Sequence, residues 1–563
     1  MTRVFRILLL LSVLLLCSVF SFAGTQNQPV LVLLYSRFDD HVTYSVGEER
    51  LFRLIKLIEK LRKDYPAYPV KVSCEFSGAF AEQLTKTPTA KGYLKQLHEL
   101  ADAGIVDIGY IGENEPTYRN RPRARLSKGM TAEQRWLEQY QAAKQFLNDY
   151  KDPLTGQADA ARPGAVKAVT EILGKPAIFG TFAPAFGAEA PYFHELRRMN
   201  IQAIMPGFPD PYFTLGIHGY RLSTTELGAK AMVPVPQACS ELLWDNNFLR
   251  ASFTSSADIR GLSASEGKDA LAAFLGKLDR SRVRLLQIEV VGYSRYLNKW
   301  PDGTPKLNPL AWAYDHPDDP EIPSGIRVFM SLPDVQKEYD SEEQTLRWLL
   351  SDFLPENPGS QIVGPKDLMN LARTPVGSDV SAATLTEAVK DWQARSSKEI
   401  NMSATYVQAG GNYYSAADLF QLLVNNLAAM ARDGKRPEKV RLTDIYGPIL
   451  LEEAESTSPT VEVPAREVMR IAATLAPELN DQTWKPVPSN AVPHSISVGG
   501  TRANPAQFLA MMIDAYLAPS PDTPIRLRYL LPLTGPGYMF PRQNETQDGG
   551  NIWTLRPAVL KLE

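Results

Sequence analysis

The sequence predicts an α/β protein: an incomplete or distorted (β/α) barrel of about seven strands, followed by a smaller α+β region built from a repeat. Three observations carry this expectation. From Pro29 to about Thr374, short runs rich in Val, Ile, Leu and Phe alternate with segments of helical apolar spacing. The alternation stops at TPVGSDVSAATLTE, which reads as a linker near residue 375. Beyond it, one pattern occurs twice. Strands that alternate with helices imply a parallel sheet with helical crossovers, because parallel neighbours cannot be joined by a tight turn.

The chain opens with MTRVFRILLLLSVLLLCSVFSFAG, in which Arg3 and Arg6 precede an apolar run and then Ser21-Phe22-Ala23. That is the layout of a secretory signal peptide, so residues 1–23 are expected to be removed and the mature protein to be secreted or periplasmic. An uncleaved anchor is the alternative. Ser and Cys interrupt the apolar run, and small and polar residues follow it, which favours cleavage. Leu16 before Cys17 does not suit a lipoprotein anchor. No later run reaches the ~20 apolar residues of a membrane helix, so no stable membrane insertion is expected after cleavage. Sixty basic residues stand against 63 acidic ones, with 44% hydrophobic and 22% charged residues. This is ordinary globular composition, without the charge that nucleic acid or an anionic surface would ask for. Cys74 and Cys239 remain after cleavage. An exported protein can bridge such a pair, and two separately buried thiols are the equal alternative.

The strands are expected in this order. VLVLLYS (30–36) precedes the helical EERLFRLIKLIEKLRKDY, and VKVSCEFS (70–77) precedes YLKQLHELADAG. VDIGYIG (106–112) is followed, after a loop, by AEQRWLEQYQAAKQFLNDY. AIFGTFA (177–183), the helix YFHELRRMN and IQAIMPGF (201–208) come next, and RVRLLQIEVVG (282–292) and GIRVFMSLP (325–333) close the series. Domain 29–375 is therefore the expected barrel, and 376–563 the repeat region. In the latter, 406–448 overlays 496–537: Gly410-Gly411 on Gly499-Gly500, then Ser415 or Asn504 as a helix N-cap, a helix, a Pro-containing turn, a β-like run and Gly-Pro. The two copies occupy about 400–448 and 494–538.

The polar stretch YSRFDDHV raises the functional question, because Asp39, Asp40 and His41 follow directly on an apolar strand. A turn or helix cap would use such residues. So would an active site at the carboxyl edge of a parallel sheet. The order Phe38-Asp39-Asp40, then CEFSGAF (74–80), then Gly104-Ile105-Val106-Asp107-Ile108-Gly109 resembles the polysaccharide deacetylase superfamily and its relatives in glycoside hydrolase family 57. Those families share an incomplete (β/α) barrel, and the resemblance covers roughly residues 29–185. It implies Asp39 as general base and Asp40 as ligand of one divalent metal, zinc or similar, with His41 as the adjacent imidazole. It further implies that Arg162, in Arg162-Pro163, orients the base. Such a metal would lower the pKa of a bound water, which a free carboxylate then deprotonates.

The chain departs from that pattern. The two metal-binding histidines after the third strand are replaced by residues near Ile111 and Glu115, and no histidine lies between His98 and His194. The late Leu-x-His is absent from VFMSLPD. The glycosidase relatives offer a partial substitute, since GENEPTY (112–118) resembles their sugar-lining Glu-Pro segment. Glu115 then pairs with Glu289, a carboxylate inside the apolar run RLLQIEVVGY, as the two acids that glycoside cleavage needs. A plain loop acid and a strand salt bridge with an Arg are the structural alternatives for these two. AYDHPDDPE (313–321) has a cation-binding composition without regular ligand spacing, and YFTLGIHGY and GYSRYLNKW carry aromatic side chains that suit either sugar stacking or rim packing. The C-terminal copies faintly resemble the pseudomurein-binding repeat of wall-associated proteins. The expected function is a carbohydrate-active hydrolase acting on a polysaccharide or cell-wall glycan. The alternative is a degenerate barrel that binds such a polymer without turnover.

Overall fold

The computed structural model describes residues 27–38, 44–111, 129–151, 157–181, 190–204, 332–396, 406–448, 461–528 and 553–562, with strand and helix segments between 239 and 307. The first region runs β1 (Val30–Phe38), α1 (Tyr44–Asp64), β2 (Val72–Phe76), α2 (Gly78–Gln83), α3 (Pro88–Asp102), β3 (Val106–Ile111), α4 (Ala132–Asn148), β4 (Asp149–Lys151) and β5 (Ala158–Pro163). It continues through α5 (Ala165–Leu173), β6 (Phe179–Thr181), α6 (Ala190–Arg198), β7 (Ala203–Ile204), β8 (Cys239–Ser240), β9 (Leu242–Asp245), β10 (Phe248–Ala251), β11 (Ala257–Asp258) and β12 (Arg284–Glu289). β13 (Leu297–Lys299), β14 (Pro305–Leu307), α7 (Leu332–Trp348), β15 (Gln361–Ile362), α8 (Pro365–Leu371) and β16 (Ala372–Arg373) complete it.

The main sheet has the order β11-β12-β1-β2-β3-β6-β7-β10-β9, closed off by Arg556–Pro557 from the far end of the chain. Every step from β11 to β10 is parallel. The last two steps are antiparallel. Among the described residues, no pairing links β11 to the Arg556–Pro557 end. The protein is thus mixed α/β with a parallel sheet of several strands. Of the expected final strand, 325–331 falls outside the described residues, and α7 begins at Leu332.

Side chains alternate across a strand, so β1 serves two cores. Val32, Leu34 and Phe38 face one way, with Cys74, Phe76, Ile108, Tyr110 and Ile288, and pack on Leu51, Ile55 and Ile58 of α1 and Val169 of α5. Leu31 and Leu33 face the other way, with Leu285, and share a second cluster with Phe179, Ala203, Leu249 and Trp244. That cluster joins strands from both ends of the sheet order, so the sheet is strongly curled about this face. Gly109 permits the close packing there: a Cβ on it would lie 2.4 Å from a ring carbon of Phe179.

The second region contains two series of the same form. The first is β17 (Asp379–Ser381), α9 (Ala382–Ser396), β18 (Tyr406–Ala409), β19 (Asn412–Ser415), α10 (Ala416–Asp433) and β20 (Lys439–Arg441). The second is β21 (Glu462–Pro464), α11 (Ala465–Leu479), β22 (Ile496–Val498), β23 (Thr501–Ala503), α12 (Pro505–Leu517) and β24 (Pro524–Arg526). In each, the first strand pairs antiparallel with the last and encloses a hairpin. The stretch matched in the sequence is therefore the later part of a longer strand-helix-hairpin-helix-strand unit. Gly410 and Gly499 both turn their hairpins at φ 54°, a left-handed value suited to glycine. Ser415 with Asp418 and Asn504 with Gln507 cap α10 and α12 reciprocally. Both helices are buried in one core. The chain then returns to the first region as β25 (Arg556–Pro557) on β9 and β26 (Val559–Leu560) on β16. Residues 1–26 lie outside the described residues, and no described helix is long and apolar enough to cross a membrane.

Candidate functional site at the carboxyl edge of the sheet

Residues in register on neighbouring parallel strands project to one face. Tyr35 lies between Glu289 of β12 and Ser73 of β2, and two residues further along β1, Arg37 lies beside Glu75. All five share the face whose floor is Leu31, Leu33 and Leu285. The floor is apolar towards the amino ends of the strands and polar towards their carboxyl ends, the gradient expected where a parallel sheet opens into a site. Glu75, Ser73, Tyr35 and Gln287 are fully buried, and Arg37 and Glu289 are 3% and 5% exposed.

Burying a charge is costly unless it is paired. Arg37 Nε lies 3.3 Å from the Glu75 carboxylate, and its guanidinium carbon is 5.3 Å from the centre of the Tyr35 ring. Among the described residues, the Glu289 carboxylate has no hydrogen-bond or ion-pair partner, and the Ser73 hydroxyl has none either. The ends of the two key strands are fixed from behind. Arg50 of α1 donates to the Arg37 carbonyl at 2.7 Å and to the Val291 carbonyl at 3.0 Å. The Val291 amide donates to Glu342 of α7 at 2.8 Å. Val291 has φ 46°, rare for a β-branched residue, and these bonds hold that turn two residues beyond Glu289.

Of the residues expected from the sequence, the structure describes two. Glu289 is the inward carboxylate just described. Arg162 lies on β5, which pairs with β4 apart from the main sheet. Its guanidinium pairs with Glu82 of α2, a helix capped by Ser77 directly after β2. Asp39, Asp40, His41 and Glu115 lie outside the described residues, as do the 313–321 loop and the 212–220 aromatic loop. In the sequence, Asp39 comes directly after the last residue of β1, and Glu115 comes four residues after the last residue of β3. Among the described residues, no group of three or more His, Cys, Asp and Glu is placed to hold a metal. Cys74 faces the opposite core as a free thiol, and burial, then the nearby Asp107 and Glu75 charges, push its pKa up.

Sequence reasoning missed Glu75, Arg37, Tyr35 and Ser73. A signal existed for Glu75: it sits between Cys74 and Phe76 in a β-like run, the same anomaly that singles out Glu289. Chemically, the face offers two buried carboxylates in different states of engagement. Glu75 is committed to Arg37, and Glu289 is uncommitted. Their strands are two spacings apart, roughly 10 Å between backbones, and long side chains narrow that gap.

No family model matches the chain, and no curated protein does. Among solved structures, it is similar to the 4-alpha-glucanotransferase from Thermococcus litoralis, at 12% identity and a TM-score of 0.30, over 65% of this chain and 44% of that one. The chain thus spans less than half the length of that protein.

Proposed function

We propose that the protein is an exported carbohydrate-active hydrolase, with its site on the curled face of a distorted (β/α) barrel spanning about residues 29–375. One observation carries this reading. An uncommitted buried carboxylate, Glu289, stands two strands from an arginine-held one, Glu75, where β1 runs out into Asp39-Asp40. The apolar cluster shared by both ends of the strand order supports the barrel form. In glycoside cleavage one carboxyl group protonates the leaving oxygen, and another serves as base, nucleophile or electrostatic partner of the oxocarbenium-like transition state. Glu289 is tied to no described cation and takes the proton-transfer role. Glu75, fixed by Arg37, presents oriented negative charge, and Tyr35 between them offers a ring face and a hydroxyl to a sugar. Asp39, next in sequence after β1, and Glu115, after β3, are proposed as the further acids, with Arg162 to orient the base. A divalent ion on Asp40 and His41 belongs to the proposal as well. The described residues do not complete a ligand set for it, and the carboxylate chemistry is derived without it. The repeat region, 376–563, is proposed to hold the substrate polymer, a polysaccharide or cell-wall glycan.

The test is turnover of neutral and amino-sugar polymers by the purified mature chain, read as new reducing ends and as released acetate. Glu289→Gln should lower kcat by at least ~100-fold, the scale of one general acid–base group. Binding of the same polymers should persist. Polymer binding by the wild type with no product of either kind would overturn catalysis in favour of a binding protein without turnover. Metal analysis of wild type beside Asp40→Ala tests the ion: about one equivalent lost in the variant supports it, and none in either removes it.

A further inference from the structure

His194 lies on α6 of the first region, buried to 3% exposure, yet its imidazole is bonded entirely to the second region. Nδ1 is 2.8 Å from the Tyr446 hydroxyl, and Nε2 is 2.6 Å from the Lys485 carbonyl. A carbonyl only accepts, so Nε2 carries the hydrogen, and Nδ1 is left to accept from Tyr446. The neutral ring is thereby satisfied at both nitrogens. Trp484 stacks on it at 5.4 Å and 5°. Trp136 and Tyr140 of α4 close the sides, and Trp136 Nε1 donates to the Pro486 carbonyl at 2.8 Å. Tyr446 in turn is bound through its backbone to Asn490 and Val492. One imidazole therefore sits at the point where the segment 484–492 and the stretch after β20 at Tyr446 both meet α6.

We infer that His194 is an acid-sensitive latch: its neutral ring clasps the 484–492 segment and Tyr446 to α6, and its protonation releases them. A second proton turns Nδ1 from acceptor to donor, so the Tyr446 hydroxyl must turn and accept where it had donated. It also places a buried cation on a helix already carrying Arg197 and Arg198. The surrounding charges do not compensate. On α6, Glu195 is committed to Tyr140, Asn148 and Arg198. Arg197 pairs with Asp444 and lies 4.6 Å over the Tyr446 ring. On the clasped segment, Lys485 pairs with Asp481. Burial foremost, with Arg197 and Arg198 adding to it against Glu195 and the Lys485 carbonyl, holds the His194 pKa down at about 4.

A histidine whose pKa is lower when clasped than when free binds its proton more tightly in the released state. The latch is therefore fully closed above the free value of about 6.5 and weakens as pH falls from there towards 4. A difference of this size is worth up to ~300-fold in the open-to-closed ratio. Hydrogen exchange of the full mature chain, corrected for intrinsic rates, reads it directly. Protection across 484–492 should fall at least tenfold between pH 7 and 4.5, while β1 and β2 keep theirs. In His194→Gln, whose amide can still donate and accept but does not titrate, that fall should vanish. An equal fall in His194→Gln, or none in the wild type, overturns the inference. Tyr446→Phe guards against a variant that does not fold. It removes one of the two bonds that close the clasp and leaves His194 able to titrate, so the midpoint of release must move to higher pH. An unmoved midpoint also overturns the inference.

Discussion

Among the described residues, one buried arginine–carboxylate pair lies within the sheet and another joins the returning chain end to the repeat region, and the two are finished differently. At the edge of the repeat region, Arg556 of the returning strand β25 meets Asp418 of α10 at 2.9 Å, both 2% exposed. Asp418 also accepts the Ser415 amide at 2.8 Å, and Arg556 donates to Thr374. The carboxylate therefore sits at a helix N-terminus, where the backbone already favours an anion. In the sheet region, Arg37 holds Glu75 at 3.3 Å, but the neighbouring positions Ser73 and Glu289 have no described partner. The Arg556–Asp418 pair is held by further bonds at both of its members. A pair that belongs to a site leaves adjoining hydrogen-bonding capacity for something that is not the protein.

The comparison can be broken by substitution. Asp418→Ala should have the largest effect, since it strands Arg556 in the interior and uncaps α10. A loss of ~3–5 kcal/mol in urea unfolding is expected for breaking a buried pair. Glu75→Gln keeps a hydrogen-bonding group beside Arg37 while removing the charge, so its cost should be smaller, about 2 kcal/mol. Glu289→Gln should cost least, within ~1 kcal/mol of wild type, because it keeps the side chain's shape and breaks no described hydrogen bond or ion pair. If Glu289→Gln destabilises as much as Asp418→Ala, then Glu289 is a structural residue and the contrast between the regions fails.

The strands that could be read from the sequence are those buried on both faces. β1, β2, β3 and β12 are nearly continuous apolar runs because helices cover one side and the curled core fills the other. The antiparallel edge could not be read. β9 and β10 are four residues each, and β25 is two, so their pairing rests on contacts between distant parts of the chain. The glycine turns and caps of the hairpin–helix stretches were legible because φ 54° and an N-cap each demand particular residues. The opening strand and helix of each series carry no such mark. The Ser381 hydroxyl accepts the Thr384 amide as a cap in one, and Pro464 occupies that place in the other. In the site, Glu289 stood out, whereas Glu75 gained meaning only when register set it beside Arg37. His194 was illegible altogether, since Tyr446 and Lys485 are brought to it by the fold.

The return of the chain end to β9 sets a clock on synthesis. About 310 residues separate Asp245 from Arg556, so β9 emerges from the ribosome long before the strand that covers its outer edge. At ordinary elongation rates the interval is roughly 15–60 s. For that time a nascent chain presents an unpaired strand bearing Leu242, Leu243 and Trp244, the kind of edge to which another chain can add itself. On the proposal that the chain is exported, it would need to cross its membrane, or be held unfolded, before that edge found the wrong neighbour.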